Sequence, residues 1–149
     1  MAVSARKQLQ EQADAIEGAY EFFLAYAAQG LTQPLDGSQV VRQFGEQIGR
    51  MSRAIPQIGV LLGRLLEEEN PASRVQLDAF QKVVEGDAVR AGAAVEVVRA
   101  QEFPTSQLVD NLNASVHVRA LLTDLFLLDE ALRLGVDAAT QPQPPKSTS

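Results

Sequence analysis

The sequence predicts an all-α protein, an antiparallel four-helix bundle with a kinked second helix and a disordered C-terminal tail. Apolar residues recur at steps of three and four along most of the chain, which is the period of one helical face. Aromatic residues make up only 5% of the 149 residues and tryptophan is absent, so leucine, valine, isoleucine and alanine must build the core. Glycine and proline punctuate the periodic segments and set the predicted helix ends.

The first predicted helix runs from about Ser4 to Gln29. Its apolar residues alternate steps of four and three, which places them on one face. Gly30 follows as a natural C-terminal stop. The apolar positions of this helix are Leu9, Ala13, Ile16, Tyr20, Phe23 and Ala27.

The second predicted helix starts near residue 37, where Asp36 or Ser38 offers an N-cap, and carries the most regular apolar pattern of the sequence. Pro56 falls inside that pattern, and an interior proline removes a backbone hydrogen bond at a cost of about 3 kcal/mol. Because the apolar phase is the same on both sides of Pro56, we predict one kinked helix. A break at Ile55 is the alternative, since the residue before a proline disfavours the α conformation. The pattern comprises Val41, Phe44, Ile48, Met51, Ile55, Ile58, Leu62 and Leu65.

Two further helices follow, each with a recognisable start. Asn70 is an N-cap and Pro71 a first-turn residue for the third helix, which runs to about Gln101. Thr105 or Ser106 caps the fourth helix, which continues to about residue 133. Connections this short make neighbouring helices antiparallel. The third helix places Leu77, Phe80, Val84, Ala91, Val95 and Val98 on one face.

The chain divides into a helical bundle domain, residues 1–137, and a tail, residues 138–149. The tail has no apolar anchor, and three prolines fall within four of its positions. A segment that cannot bury apolar surface has nothing to offset its conformational entropy. We therefore expect the tail to be disordered.

Composition excludes most kinds of catalytic or cofactor site. The chain has no cysteine, which rules out disulfides, thiol nucleophiles and thiolate metal sites. The single histidine, His117, has Asp110 and Asp124 seven residues to either side, about 10 Å away along a helix and too far for chelation. No nucleophile with a base and no phosphate-binding loop is present. We predict a protein that is not an enzyme and has no cofactor.

Charge and hydropathy bear on partners and location. The net charge of −6 opposes binding to nucleic acid, whose phosphates attract lysine and arginine. No segment approaches the roughly 18 consecutive apolar residues of a transmembrane helix. The residues after Arg6 and Lys7 turn polar, where a signal peptide would be apolar. We expect a cytoplasmic protein with no transmembrane segment and no nucleic-acid partner.

Glycines in the second helix form the first candidate interface. Gly45 and Gly49 are four residues apart, and Gly59 and Gly63 repeat that spacing two heptads later. Each glycine inside a helix lowers helix stability by about 1 kcal/mol relative to alanine, so four of them in one helix need a structural explanation. Small residues four apart let another helix come close. That helix can belong to the same bundle or to another chain.

A nearly continuous apolar run in the fourth helix forms the second candidate interface. Between Leu121 and Leu128 only Thr123 and Asp124 are polar. A bundle helix buries only part of its circumference, so apolar side chains on nearly every side favour burial against another subunit. The alternative is that one or two of them are simply exposed. The candidate residues are Leu121, Leu122, Leu125, Phe126, Leu127 and Leu128.

These surfaces predict a non-enzymatic interaction protein, an adaptor, scaffold or small accessory subunit. Its partner is either itself, in a homo-oligomer, or a larger protein. The alternative is a bundle that binds a hydrophobic ligand, a lipid or a granule surface, because a kink at Pro56 would open a cavity between helices.

Overall fold

The computed structural model describes residues 3–33 and 39–135. These residues form α-helices and no strand, which confirms the all-α prediction. The predicted tail, residues 138–149, and the proposed caps Asp36 and Ser38 lie outside them. The helices are α1 (Ala5–Ala27), α2 (Gln39–Ala54), α3 (Gln57–Glu69), α4 (Arg74–Arg99), α5 (Ser106–Ala114) and α6 (Val116–Leu132).

The second predicted helix is two helices. The kinked but continuous helix is not confirmed, because α2 ends at Ala54 and α3 begins at Gln57. The Ile55 amide still donates to the Met51 carbonyl oxygen at 3.0 Å, and the Ile58 amide turns back to the Ile55 carbonyl oxygen at 3.3 Å. Pro56 has no amide hydrogen, so the regular hydrogen-bond ladder stops there. The break at Ile55 that the sequence left open is the one observed.

The fourth predicted helix is also interrupted. α5 ends at Ala114 and α6 begins at Val116, with Ser115 between them at φ −58° and ψ 127°. The Ser115 hydroxyl accepts a hydrogen bond from the His117 amide at 3.3 Å, so Ser115 caps α6. A bundle of four continuous helices is therefore not confirmed: the described residues form six.

Neighbouring helices pack antiparallel to one another. The Tyr26 ring, near the end of α1, lies 4.7 Å from the Phe44 ring, near the start of α2. Arg6, at the start of α1, pairs with Glu69 at the end of α3. α2 and α3 thus run in succession along α1, in the opposite direction. α4 packs on α2, α3, α5 and α6, and the residues that α1 and α4 turn inward form one continuous core with those of the other helices.

Polar contacts close one end of the structure. The buried Arg6 guanidinium donates through Nε and Nη2 to the two carboxylate oxygens of Glu69, both at 2.8 Å. Its Nη1 donates to the carbonyl oxygen of Arg133 at 2.8 Å, just beyond α6. A planar guanidinium can satisfy these acceptors together, which fixes the ends of α1, α3 and α6 to one another.

A second polar cluster closes the opposite end. The buried Tyr26 hydroxyl donates to the Pro104 carbonyl oxygen at 2.6 Å. The Ser106 hydroxyl accepts from the Leu31 amide at 2.7 Å and donates to the Tyr26 carbonyl oxygen at 3.2 Å. These bonds tie the end of α1 to the start of α5.

Candidate interaction surfaces

An apolar groove of about 430 Å³ lies where α2 and α3 meet, facing α4. Ile55 and Pro56 form the break itself, and the break leaves space beside the next turn of helix. Gly59 on α3 and Gly92 on α4 have no side chain to fill that space. The remaining apolar lining comes from Val60, Ala88 and Val89.

Carboxylates border this groove. The Ser52 hydroxyl donates to the Glu96 carboxylate, which also lies 3.5 Å from the Arg99 guanidinium. Glu85 accepts a hydrogen bond from the Gln81 amide at 3.2 Å and has no ion pair with another described residue. The groove is therefore apolar inside and acidic at its edge.

Two of the predicted interface glycines face α4 of the same chain. A Cβ atom at Gly59 would lie 2.6 Å from Cγ of Glu85, and one at Gly63 would lie 2.7 Å from Nε2 of Gln81. The Gln81 amide donates to the Gly59 carbonyl oxygen at 3.1 Å. These glycines give α4 side chains access to the α3 backbone, the intramolecular role that the sequence left open.

The other two glycines differ from each other. Gly49 is buried, and a Cβ there would lie 3.2 Å from the Arg53 Nη1 atom of its own helix. Gly45 is exposed, and a Cβ there would meet nothing within 4 Å. Of the four glycines, Gly45 is the one that lies open on the surface.

The apolar run of the fourth predicted helix lies on both sides of α6. Its leucines at 121, 122, 125 and 128 are buried in the core. Phe126 is 58% exposed and Leu127 is 51% exposed. An interface role for the whole set remains a prediction, and only these two side chains of the run are open to a partner.

The outer face of α4 is an exposed apolar surface that the sequence analysis missed. We call it the outer α4 face. Its valines are among the most exposed large apolar side chains of the described residues: Val75 is 76%, Val89 74% and Val97 61% exposed. The face borders the groove, which Val89 also lines. It consists of Val75, Ala79, Lys82, Gly86, Val89, Ala93, Val97 and Ala100.

A signal for this face is present in the sequence. Its residues follow steps of four and three over 26 positions, which is the same periodicity that identified the buried face of the same helix. Alanine and glycine are weak markers of an apolar face, so the stronger pattern through Leu77, Val84 and Val95 obscured the outer α4 face. Counting the apolar residues on both sides of the helix identifies it.

Two carboxyl groups meet between α4 and α6. Asp124 is 7% exposed and faces Asp87, and its Oδ2 atom has no hydrogen-bond donor among the described residues. Burial, a hydrogen bond with Asp87 and the charge of Asp87 together raise the pKa of Asp124 to about 7. A proton shared by the two groups removes the repulsion between them.

Acidic side chains of α1 gather near Asp129 of α6. Partial burial and the charges of Asp129 and Glu11 raise the pKa of Asp14. Partial burial and the charges of Asp14, Asp129 and Glu21 raise the pKa of Glu17. This cluster is a region of like-charge repulsion.

His117 is exposed, and within residues 3–33 and 39–135 no three histidine or acidic side chains are placed to hold a metal ion. In those same ranges none of the helices has the length and apolar character needed to cross a membrane.

No protein-family model, no curated protein and no solved structure matches this chain. The functional inference therefore depends on the surfaces described above.

Proposed function

We propose that this chain is a non-enzymatic interaction bundle of the cytoplasm, an adaptor, scaffold or accessory subunit that self-associates or docks on a larger protein. The observation that carries the proposal is the outer α4 face. Large contiguous apolar patches on a protein surface mark interaction sites, whereas single exposed apolar side chains are common and need no explanation. Here the exposed valines share one helix face with alanines and adjoin an apolar groove.

The energetics favour covering this face. Burying a valine side chain that was exposed contributes up to about 1.5 kcal/mol. Val75, Val89 and Val97 are spread along the length of α4, so a partner that covers all three also covers the alanines between them. Helix-on-helix packing of small side chains brings the two backbones close and adds dispersion contacts.

Solution mass across a dilution series tests this proposal. Light scattering on the purified chain should give a stable multiple of 16.1 kDa at high concentration that dissociates on dilution. Native mass spectrometry on the same sample reports any bound molecule. A 16.1 kDa species at every concentration would exclude self-association and leave docking on a different protein as the form of protein interaction.

A second function is favoured by the groove at Pro56, which suits a hydrophobic ligand. Its volume of about 430 Å³ lies within the range of about 300–1,000 Å³ typical of small-molecule sites. Substituting Gly92 with leucine would fill the groove, because a Cβ at Gly92 already lies 3.6 Å from Ile55. Gly45→Leu is the matched control, since Gly45 has open space around it.

If the groove binds a hydrophobic ligand, these two variants should differ in their affinity for it. A fluorescent fatty acid should bind the unmodified chain and Gly45→Leu, and should bind Gly92→Leu at least tenfold more weakly. Equal binding to all three proteins would exclude the groove as the ligand site.

A further inference from the structure

The outer α4 face also indicates what kind of partner it fits. We infer that it binds the same face of a second copy of this chain, with the two α4 helices antiparallel and the two-fold axis between Gly86 and Val89. This inference depends on the proposed function and gives it a partner and a geometry.

Overlap of the two faces along their full length, from Val75 to Ala100, sets the register, because it buries the most apolar surface. In an antiparallel pair of helices, residues from the two chains form layers whose position numbers have a constant sum. Pairing Gly86 with Val89 of the second copy gives a sum of 175. The same sum pairs Lys82 with Ala93 and Val75 with Ala100. It places the other two residues of the face, Ala79 and Val97, opposite Glu96 and Asp78 at its edge.

Charge distinguishes the antiparallel arrangement from the parallel one. Lys82 is the one charged residue of the face, is exposed and has no ion pair with another described residue. A parallel, in-register pair would place the two lysines opposite each other, which is repulsive. In the antiparallel pair Lys82 meets Ala93 of the second copy, and Glu96 of that copy is one turn away.

Lys82 and Glu96 can pair only between chains. They are 14 positions apart on α4, about 21 Å along the helix axis, so no side chain joins them within one molecule. Within its own chain Glu96 contacts Ser52 and Arg99 at the groove edge, which holds its carboxylate beside the outer α4 face.

The available area is that of a stable interface. From Val75 to Ala100 the face is about 38 Å long. α4 and the adjoining α3, which contributes the exposed Val60, together present a surface about 20 Å wide. Their product is about 760 Å² on each partner, close to the roughly 800 Å² per partner of a standard interface.

A charge exchange tests the register. Lys82→Glu should weaken dimerisation about three- to tenfold, because it places two carboxylates together. Glu96→Lys should weaken it to a similar extent. The double variant should recover most of the loss, and failure to recover while both single variants remain folded would overturn the proposed register.

A distance measurement tests the orientation directly. The chain has no cysteine, so Gln76→Cys provides a single site for a spin label at the side of the face. Pulsed dipolar spectroscopy on the dimer should give about 35 Å between the two labels, which is the axial separation for the antiparallel pair. A parallel pair would give about 20 Å or less.

The outcomes separate this inference from the proposed function. A dimer with labels about 35 Å apart supports both. A dimer that shows the short distance, or no dipolar coupling, overturns the antiparallel α4 contact and leaves self-association standing. A labelled chain and an unmodified chain that are both monomeric at every concentration overturn the inference and self-association together.

Discussion

The two faces of α4 have the same spacing and opposite surroundings. The inner face, with Leu77, Val84 and Val95, is buried against the other helices, and Val84 and Val95 are 0% exposed. The outer α4 face is open, with Val75 76% and Val89 74% exposed, except at Gly86, where the Arg90 guanidinium lies close. Both sides of α4 are apolar, and the other helices of the chain cover only the inner one.

The difference teaches that a periodic pattern specifies a face but not what covers it. Leucine and phenylalanine make the inner face the more apolar of the two, so it takes the core position. The outer face uses valine, alanine and glycine, which a monomer tolerates in water and which a second helix can approach closely.

The two faces should differ most in how far a new charge lowers the free energy of unfolding. Val84→Asp puts an unpaired carboxylate into the core and should lower the free energy of unfolding by on the order of 4 kcal/mol or more. Val89→Asp, on a side chain that is 74% exposed, should change it by less than about 0.5 kcal/mol. Urea unfolding of both variants at low protein concentration measures this, and similar losses would contradict the assignment of the two faces.

The pH dependence of stability reports on the side of α4 that faces α6. The pKa of Asp124 is raised from 3.8 to about 7, so the folded chain holds more protons than the unfolded chain between these values. Stability should therefore be highest near the lower value and fall as the pH rises through about 7, by on the order of 2–4 kcal/mol. The raised pKa values of Asp14 and Glu17 act in the same direction.

Asp124→Asn isolates this contribution. Asparagine resembles the protonated acid and has no charge, so the variant should lose most of the decline between pH 5 and 8. Asp110→Asn, at an exposed position on α5, is the control and should leave the decline unchanged. If thermal unfolding curves of Asp124→Asn follow those of the unmodified chain at every pH, the buried pair is not the cause.

The smallest effect concerns two glycines, Gly59 facing α4 and Gly45 open on the surface. Gly45→Ala should stabilise the fold by about 0.5–1 kcal/mol, because alanine favours the helix and its Cβ meets nothing. Gly59→Ala should gain less, since its Cβ would lie 2.6 Å from Glu85 Cγ and the Glu85 side chain must move. An equal gain at both sites would mean that Gly59 is not needed for the approach of α4.

Much of the fold could be predicted from the sequence. The inner residues of α2 and α3, from Phe44 to Leu65, are buried as their 3-4 pattern indicates. The predicted cap Thr105 accepts a hydrogen bond from the Leu108 amide. These features are local, so the residues that specify them lie close together in the chain. The predicted cap Asn70 is wrong: it ends α3 with a left-handed φ of 42°, and α4 begins only at Arg74.

The helix breaks were harder to predict. Pro56 marks the position of one break in the sequence. Whether a proline bends a helix or ends it depends on what the neighbouring residues pack against. The break at Ser115 had no proline to mark it, and serine is common within helices as well as at their starts. At such positions a continuous and a broken helix differ little in local free energy, and packing against the other helices can reverse the preference.

The candidate site was the least predictable part. Glycine spacing identified Gly59 and Gly63, yet the side chains that approach them, Glu85 and Gln81, are more than 15 positions away. The apolar excess of α6 was recognised, but most of its leucines are buried in the core. Which apolar face remains uncovered is a property of the whole arrangement of helices.

Two exposed apolar surfaces are candidates for the contact between two copies of the chain. One paired measurement decides between them. Val89→Asp changes the outer α4 face, and Phe126→Asp changes the exposed side of α6, where the side chain is 58% exposed. Solution mass by light scattering at one high concentration should show a dimer, twice 16.1 kDa, for the unmodified chain and Phe126→Asp, and a 16.1 kDa monomer for Val89→Asp. A dimeric Val89→Asp beside a monomeric Phe126→Asp would contradict the central claim that α4 presents the interaction surface.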